Sequence, residues 1–153
     1  MFSFFRKKPQ QFFSAEEQAK IVAAIQQAEK STSGEVRVYI ESHCKYVKPI
    51  DRAIEIFYGL QMERTALRNG VLVYVAMKDR QLAIFGDENI YKVAGTAFWE
   101  EEVRHMLAAF NKEDHAQGIA TVVLEIGEAL EKFFPYDGVT DKNELPDDIV
   151  FGK

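Results

Sequence analysis

Residues 69–90 read NGVLVYVAMKDRQLAIFGDENI, and the parsing of this stretch sets the fold. Val71 to Met77 is apolar at every position, the pattern of a strand covered on both faces. Lys78-Asp79-Arg80 is a short charged turn, and Leu82 to Phe85 returns as an antiparallel partner. The hairpin stops at Gly86-Asp87. Asp87 then has two readings. Its side chain accepts a backbone N–H at the positive end of a helix starting near Glu88, or it takes part in chemistry.

Moving N-terminally, Ser14-Ala-Glu-Glu17 is a capping-box pattern, in which Ser14 and Glu17 each accept the other's amide. Ile21, Val22, Ile25 and Ala28 recur at helical spacing, which predicts a helix over 15–31. Glu35 to Glu41 alternates, with Val36, Val38 and Ile40 on one face of a strand. Lys45 to Lys48 is a loop, and Pro49 suits the first position of a second helix. After Asp87 the period becomes helical. A short helix carries Ile90, Val93 and Ala94, a longer one runs from Phe98 to Phe110, and the longest spans 114–134. From Pro135 the chain is turn-rich and acidic.

A strand–helix–strand unit makes the first two strands parallel with a right-handed crossover. The apolar second strand needs helices on both sides. The expected class is therefore α/β: a three-layer α/β/α sandwich with a small mixed sheet, the parallel unit joined to an antiparallel hairpin. The expected organisation is a flexible N-terminal segment (1–11), an α/β/α domain (12–135) and an extended acidic C-terminal tail (136–153).

Composition narrows the function. The chain has 153 residues, 47% of them apolar, enough for one domain with a core. A net charge of −5 argues against nucleic acid as a partner, since phosphates need an electropositive face. The same surplus of carboxylates could hold a hard cation. The single cysteine, Cys44, excludes an internal disulfide framework and fits a reducing compartment. No run approaches the roughly 20 apolar residues of a transmembrane segment. A cytoplasmic monomer is expected. The aromatic and basic start, with Phe2, Phe4, Phe5 and Arg6, Lys7, Lys8, reads as a frayed end, with contact to an anionic membrane surface as the lesser alternative.

Strand directions then sort the carboxylates. The start of the first strand, the start of the second and the end of the third share one edge of the sheet. Glu35, Thr65, Arg68, Asn69 and Asp87 gather there, while Glu41, His43, Asp79 and the Pro49 helix start collect at the other edge. Other groups are weaker candidates. His43 and Cys44 are adjacent on a strand end and point to opposite faces. His105 reads as solvated on a helix of mixed charge, Glu100-Glu101-Glu102 as the acidic first turn of a helix, and Asp114 as a cap beside His115. No nucleophile elbow, phosphate-binding glycine loop, dinucleotide fingerprint or EF-hand loop is present.

Three segments together resemble the TPM domain family: Ser33-Gly-Glu-Val-Arg-Val-Tyr-Ile40, Thr65-Ala-Leu-Arg-Asn-Gly-Val-Leu-Val-Tyr-Val75 and Lys78-Asp-Arg-Gln-Leu-Ala-Ile-Phe-Gly-Asp87. The shared features are a Gly before the first strand, Asn-Gly before the apolar second strand, an Asp-Arg hairpin and a Gly closing the third. The tail Asn143 to Phe151 looks like that of a small, soluble bacterial subgroup. The resemblance spans roughly Phe12 to Phe134. It implies a compact α/β/α domain, with divalent cation binding in some members and weak acid phosphatase activity in the plant branch. Many members also carry a signal peptide and a C-terminal anchor, neither of which is read here. Many have Gly-x-Gly closing the third strand and an Asp about eight residues on, where this chain has Gly86-Asp87-Glu88 and Gly95-Thr96.

The expected function is therefore binding of a divalent cation, calcium or magnesium, through the loop carboxylates and amide of Asp87, Glu88, Asn69 and Glu35. One alternative is a metal-assisted phosphatase with Arg68 on the phosphate. The other is a non-catalytic interaction module for an unknown protein partner.

Overall fold

The computed structural model describes residues 8–136 and 147–153. The aromatic residues of the N-terminus and most of the acidic tail lie outside them. Pro9–Phe12 forms a 3-10 turn. Helix α1 (Ala15–Glu29) leads to strand β1 (Glu35–Glu41), helix α2 (Pro49–Gly59), strand β2 (Gly70–Ala76) and strand β3 (Gln81–Gly86). Helices α3 (Glu88–Ala94), α4 (Thr96–Asn111) and α5 (His115–Phe133) follow, and a two-residue strand, β4 (Val150–Phe151), closes the chain.

The sheet order is β3-β2-β1-β4. β1 and β2 are parallel in register Glu35 with Gly70 through Glu41 with Ala76. β2 and β3 are antiparallel, Val71 opposite Gly86. β4 lies parallel to β1 at Tyr39 and Ile40. Every residue of β2 is buried, as its unbroken apolar run requires. Alternate β1, β2 and β3 side chains, among them Val36, Val38, Val73 and Ile84, join α1, α4 and α5 in the larger core. Leu72, Tyr74, Ala76 and Ala83 point the other way, onto Phe57 and Met62 beneath α2. The class is an α/β sandwich with a four-stranded mixed sheet.

Local chemistry sets the element ends. Ser14 Oγ accepts the Glu17 amide at 3.0 Å and Glu17 Oε1 accepts the Ser14 amide at 2.8 Å, so the capping box starts α1. α1 stops at Glu29, two residues short of the predicted end, and Lys30 to Gly34 turn the chain into β1. Gly95 separates α3 from α4 at φ +86°, a backbone region that glycine enters without a Cβ penalty. α4 therefore begins at Thr96.

Helices α1 and α5 approach closely at Gly127. A Cβ added to Gly127 on α5 would lie 2.6 Å from Ala28 Cβ and 2.7 Å from Ala28 Cα on α1. Backbone, not a flexible side chain, stands in the way. Gly127→Val should therefore lose about 1–3 kcal/mol by overpacking, read as a lower denaturation midpoint with an unchanged slope.

Candidate functional site

The polar residues collect where the apolar strands run out. At the start of β1 and β2, the Glu35 amide donates to Asn69 O at 3.5 Å, and the Asp87 amide donates to Gly70 O at 2.9 Å. Glu35, Asn69 and Asp87 thus occupy one end of three adjacent strands. Their side chains divide among separate partners.

Asp87 is 1% exposed. It sits at the N-cap of α3, where Oδ1 accepts the Glu88 amide at 2.8 Å. Arg68 closes on it as a fork, Nε donating to Oδ2 at 2.7 Å and Nη2 to Oδ1 at 2.9 Å. Arg68 Nη1 lies 3.3 Å from Glu88 Oε1. Asp87 therefore caps a helix and holds an arginine, and all three guanidinium nitrogens of Arg68 face carboxylates. The adjoining cleft, about 190 Å³, is walled by Tyr58, Phe85 and Tyr91. A phosphate there would compete with two carboxylates for Arg68. Asn69 is fully buried; its amide N–H donates to Thr65 Oγ1 at 3.2 Å and its Nδ2 to Ser33 Oγ at 3.4 Å, bracing the two strand starts.

Glu35 turns to a different set. Its carboxylate, that of Glu29 at the end of α1 and that of Asp147 before β4 present oxygens all within 4.8 Å of one another. Glu35 is 2% exposed. Glu29 Oε2 accepts the Val36 amide at 2.8 Å, and Glu29 is in hydrogen-bond contact with both Asp147 and Glu35. Burial, then the Asp147 contact and the Glu35 charge, push the Glu29 carboxyl up to about 11. Arg37, 8% exposed, lies nearby with Nη2 4.0 Å from Asp148 Oδ1. The last turn of a helix running into a strand start was the sequence signal for Glu29. Asp147 had none, because β4 is too short to show alternation.

A second cluster lies between α4 and α5, and it corrects two readings. With α4 starting at Thr96, Glu102 falls beyond the first turn and faces inward, 3% exposed. His105 is not simply solvated. Its Nδ1 is 2.9 Å from Glu125 Oε1 and 3.7 Å from Glu102 Oε2, and its Nε2 is 3.0 Å from Glu101 Oε1. The hydrogen bond to Glu125 holds the His105 imidazolium above the ordinary histidine range. Burial, then Glu125, pushes the Glu102 carboxyl up to about 8.

The opposite end of the sheet is closed by pairs. Arg52 grips Glu41 through Nε at 2.9 Å and Nη2 at 3.0 Å, and Tyr74 Oη donates to Glu41. Asp79 accepts from the Cys44 amide at 2.7 Å and pairs with His43 Nδ1 at 2.8 Å. Asp114 occupies the N-cap position of α5 without a side-chain cap bond.

A strand–helix–strand unit, an antiparallel hairpin and acidic groups at the sheet ends define a small α/β domain with its polar chemistry at the rims. The chain belongs to the TPM domain family, whose sequence model matches residues 7–129. It is similar to the BA42 protein of the psychrophilic bacterium Bizionia argentinensis, solved by NMR, at 40% identity and a TM-score of 0.83, covering 91% of this chain and 94% of that one. The N-terminal domain of the cg2496 protein from Corynebacterium glutamicum shares the fold at 19% identity and a TM-score of 0.62, over 77% of this chain and 74% of that one. So does the N-terminal domain of a P. gingivalis protein, at 14% identity and a TM-score of 0.65, over 80% and 79%. No curated protein matches the chain. Among the described residues, no helix is long and apolar enough to cross a membrane.

Arg68→Ala would strand a buried carboxylate at Asp87, whereas Asp87→Asn leaves an arginine, 34% exposed, able to turn to solvent. Thermal melts should show the larger drop for Arg68→Ala. A pH series gives a second check. Folded Glu102 and His105 both bind protons more tightly than their unfolded counterparts, whose reference values are 4.5 and 6.5. Through these two groups the folded state holds more protons between about pH 5 and pH 8, so they make stability fall as pH rises through that window, against an opposing slope from His115, whose burial lowers its proton affinity. Glu29 adds a slope of the same sign that continues above pH 8. In chelator-treated protein, Glu102→Gln should flatten the fall in melting temperature below pH 8.

Proposed function

We propose that the protein binds a hard divalent cation, calcium or magnesium, through Glu29, Glu35 and Asp147, as a cytoplasmic monomer. The observation carrying this reading is the approach of three carboxylates, from the end of α1, the start of β1 and the segment before β4, to within 4.8 Å, with Glu35 almost wholly out of water. Like charges held that close favour either a shared proton or a cation. The raised affinity of Glu29 for its proton is the cation-free side of that choice. Oxygen donors alone suit calcium or magnesium better than a soft metal. Of the four residues expected from the sequence, Glu35 belongs to this set. Asp87 and Glu88 are read instead as the anionic half of the Arg68 ion pair, and Asn69 as a brace.

Calcium and then magnesium, titrated into ¹⁵N-labelled protein, should shift backbone amides around Glu29–Val36 and Asp147–Ile149. At a hundredfold excess over Kd the fold should gain about 2.7 kcal/mol, and Glu35→Gln should remove both the gain and the shifts. Shifts confined to Asn69–Gly70 and Gly86–Glu88 would move the site to Asp87. Silence at millimolar cation would sink the reading and favour the interaction module.

A further inference from the structure

Helices α4 and α5 bring two carboxylates and an imidazole to one point, in a group that shares no residue with the strand-start carboxylates. Glu102 and His105 stand three residues apart on α4, so they share a face. Glu125 meets them from α5. His105 Nδ1 and one oxygen of each carboxylate lie within 4.8 Å of one another. A tetrahedral ion with bonds of about 2.0–2.1 Å holds its donors about 3.3 Å apart. The Nδ1 distances, 2.9 Å to Glu125 Oε1 and 3.7 Å to Glu102 Oε2, straddle that spacing.

Two further features separate this cluster from a chance gathering of acids. The first is Glu102 itself, 97% buried, whose Oε1 is shut off from solvent and finds no hydrogen-bond partner among the described residues. An inward carboxylate with an unsatisfied oxygen is destabilising unless something positive meets it. The second is the far side of the imidazole. Glu101 Oε1 lies 3.0 Å from His105 Nε2. A carboxylate there accepts a hydrogen bond from Nε2–H, which favours the tautomer whose Nδ1 lone pair faces Glu102 and Glu125, as outer carboxylates do for histidine ligands of metals. Pairs of Glu-x-x-His spacing on a helix, completed by an acid from a neighbouring helix, also recur in metal sites within helical bundles.

We propose that Glu102, His105 and Glu125 bind a divalent first-row transition metal, with zinc as the probe. One nitrogen among the donors favours that class over calcium. The two carboxylates neutralise the ion. The side chains of His105 and Glu125 are 39% and 34% exposed, which leaves the fourth position open to water. This site is independent of the calcium or magnesium site at Glu35, and the two can stand or fall separately.

The test adds zinc to the chelator-washed full chain at pH 7.5 and follows the imidazole resonances of its three histidines. His43, which faces the single carboxylate of Asp79, and His115, which packs on the Phe110 ring, are internal references. One equivalent of zinc should shift His105 and leave the other two in place, and calcium should not move His105. His105→Ala and Glu102→Gln should each lower zinc affinity at least tenfold. Glu101→Gln, acting through His105, should lower it about tenfold. Should Glu102→Gln fail to fold, Glu125→Gln carries the same expectation. An unmoved His105 ring at one equivalent, a shift at His43 instead, or equal affinity in His105→Ala would overturn the proposal.

Discussion

The constraint behind this fold is that β2 has no wet side. All seven residues from Gly70 to Ala76 are buried, and a strand in that position must be covered above and below. α2 covers one face, over Leu72, Tyr74 and Ala76. α1, α4 and α5 cover the other, over Val71, Val73 and Val75. The parallel neighbour β1 follows from the α2 crossover, and the antiparallel neighbour β3 from a turn too short to allow anything else. The unequal cover, one helix on one side against α1, α4, α5 and Ile90 of α3 on the other, leaves the deeper core on the α5 side.

Because the faces are mostly apolar, polar chemistry collects at the ends of strands and in the seams between helices. There it sorts into two kinds. Opposite charges close on each other in Arg68 with Asp87 and in Arg52 with Glu41, and these pairs satisfy their own donors and acceptors. Like charges stay together in Glu29, Glu35 and Asp147, and in Glu102 and Glu125 beside His105. The first kind fixes loops and helix starts. The second kind leaves an electrostatic demand that a proton or a cation must meet.

The order and type of the main elements were legible because each had a local cause: a capping box at Ser14, an unbroken apolar run at Val71, and glycine or proline at the ends. The end of the sheet that gathers Glu35, Asn69 and Asp87 followed from strand directions alone. Side-chain partnerships did not. The Arg68 fork depends on a left-handed backbone, φ +50°, at a residue that is not glycine, and no pattern announces that. Asp147 needed a strand of two residues to bring it near Glu35. Glu102 did leave a trace. It falls in the inward stripe of α4 with Trp99, Met106 and Phe110, and an acid on an apolar stripe has to be matched by a partner. Reading it as part of an acidic first turn hid that signal, because the turn was placed too late in the chain.

Among the described residues, β4 supplies β1 with strand partners only at Tyr39 and Ile40. Nearer the start of β1, the Val36 amide points outward, and the carboxylate of Glu29 takes it. An open strand edge is a template on which a second chain can lay down a strand, and proteins commonly block such edges with side chains. Glu29 fills this amide's bond with a side-chain oxygen, so the start of β1 is capped by a residue of α1. The residue proposed as a cation ligand is thus also the one that stands in for a strand partner at the start of β1.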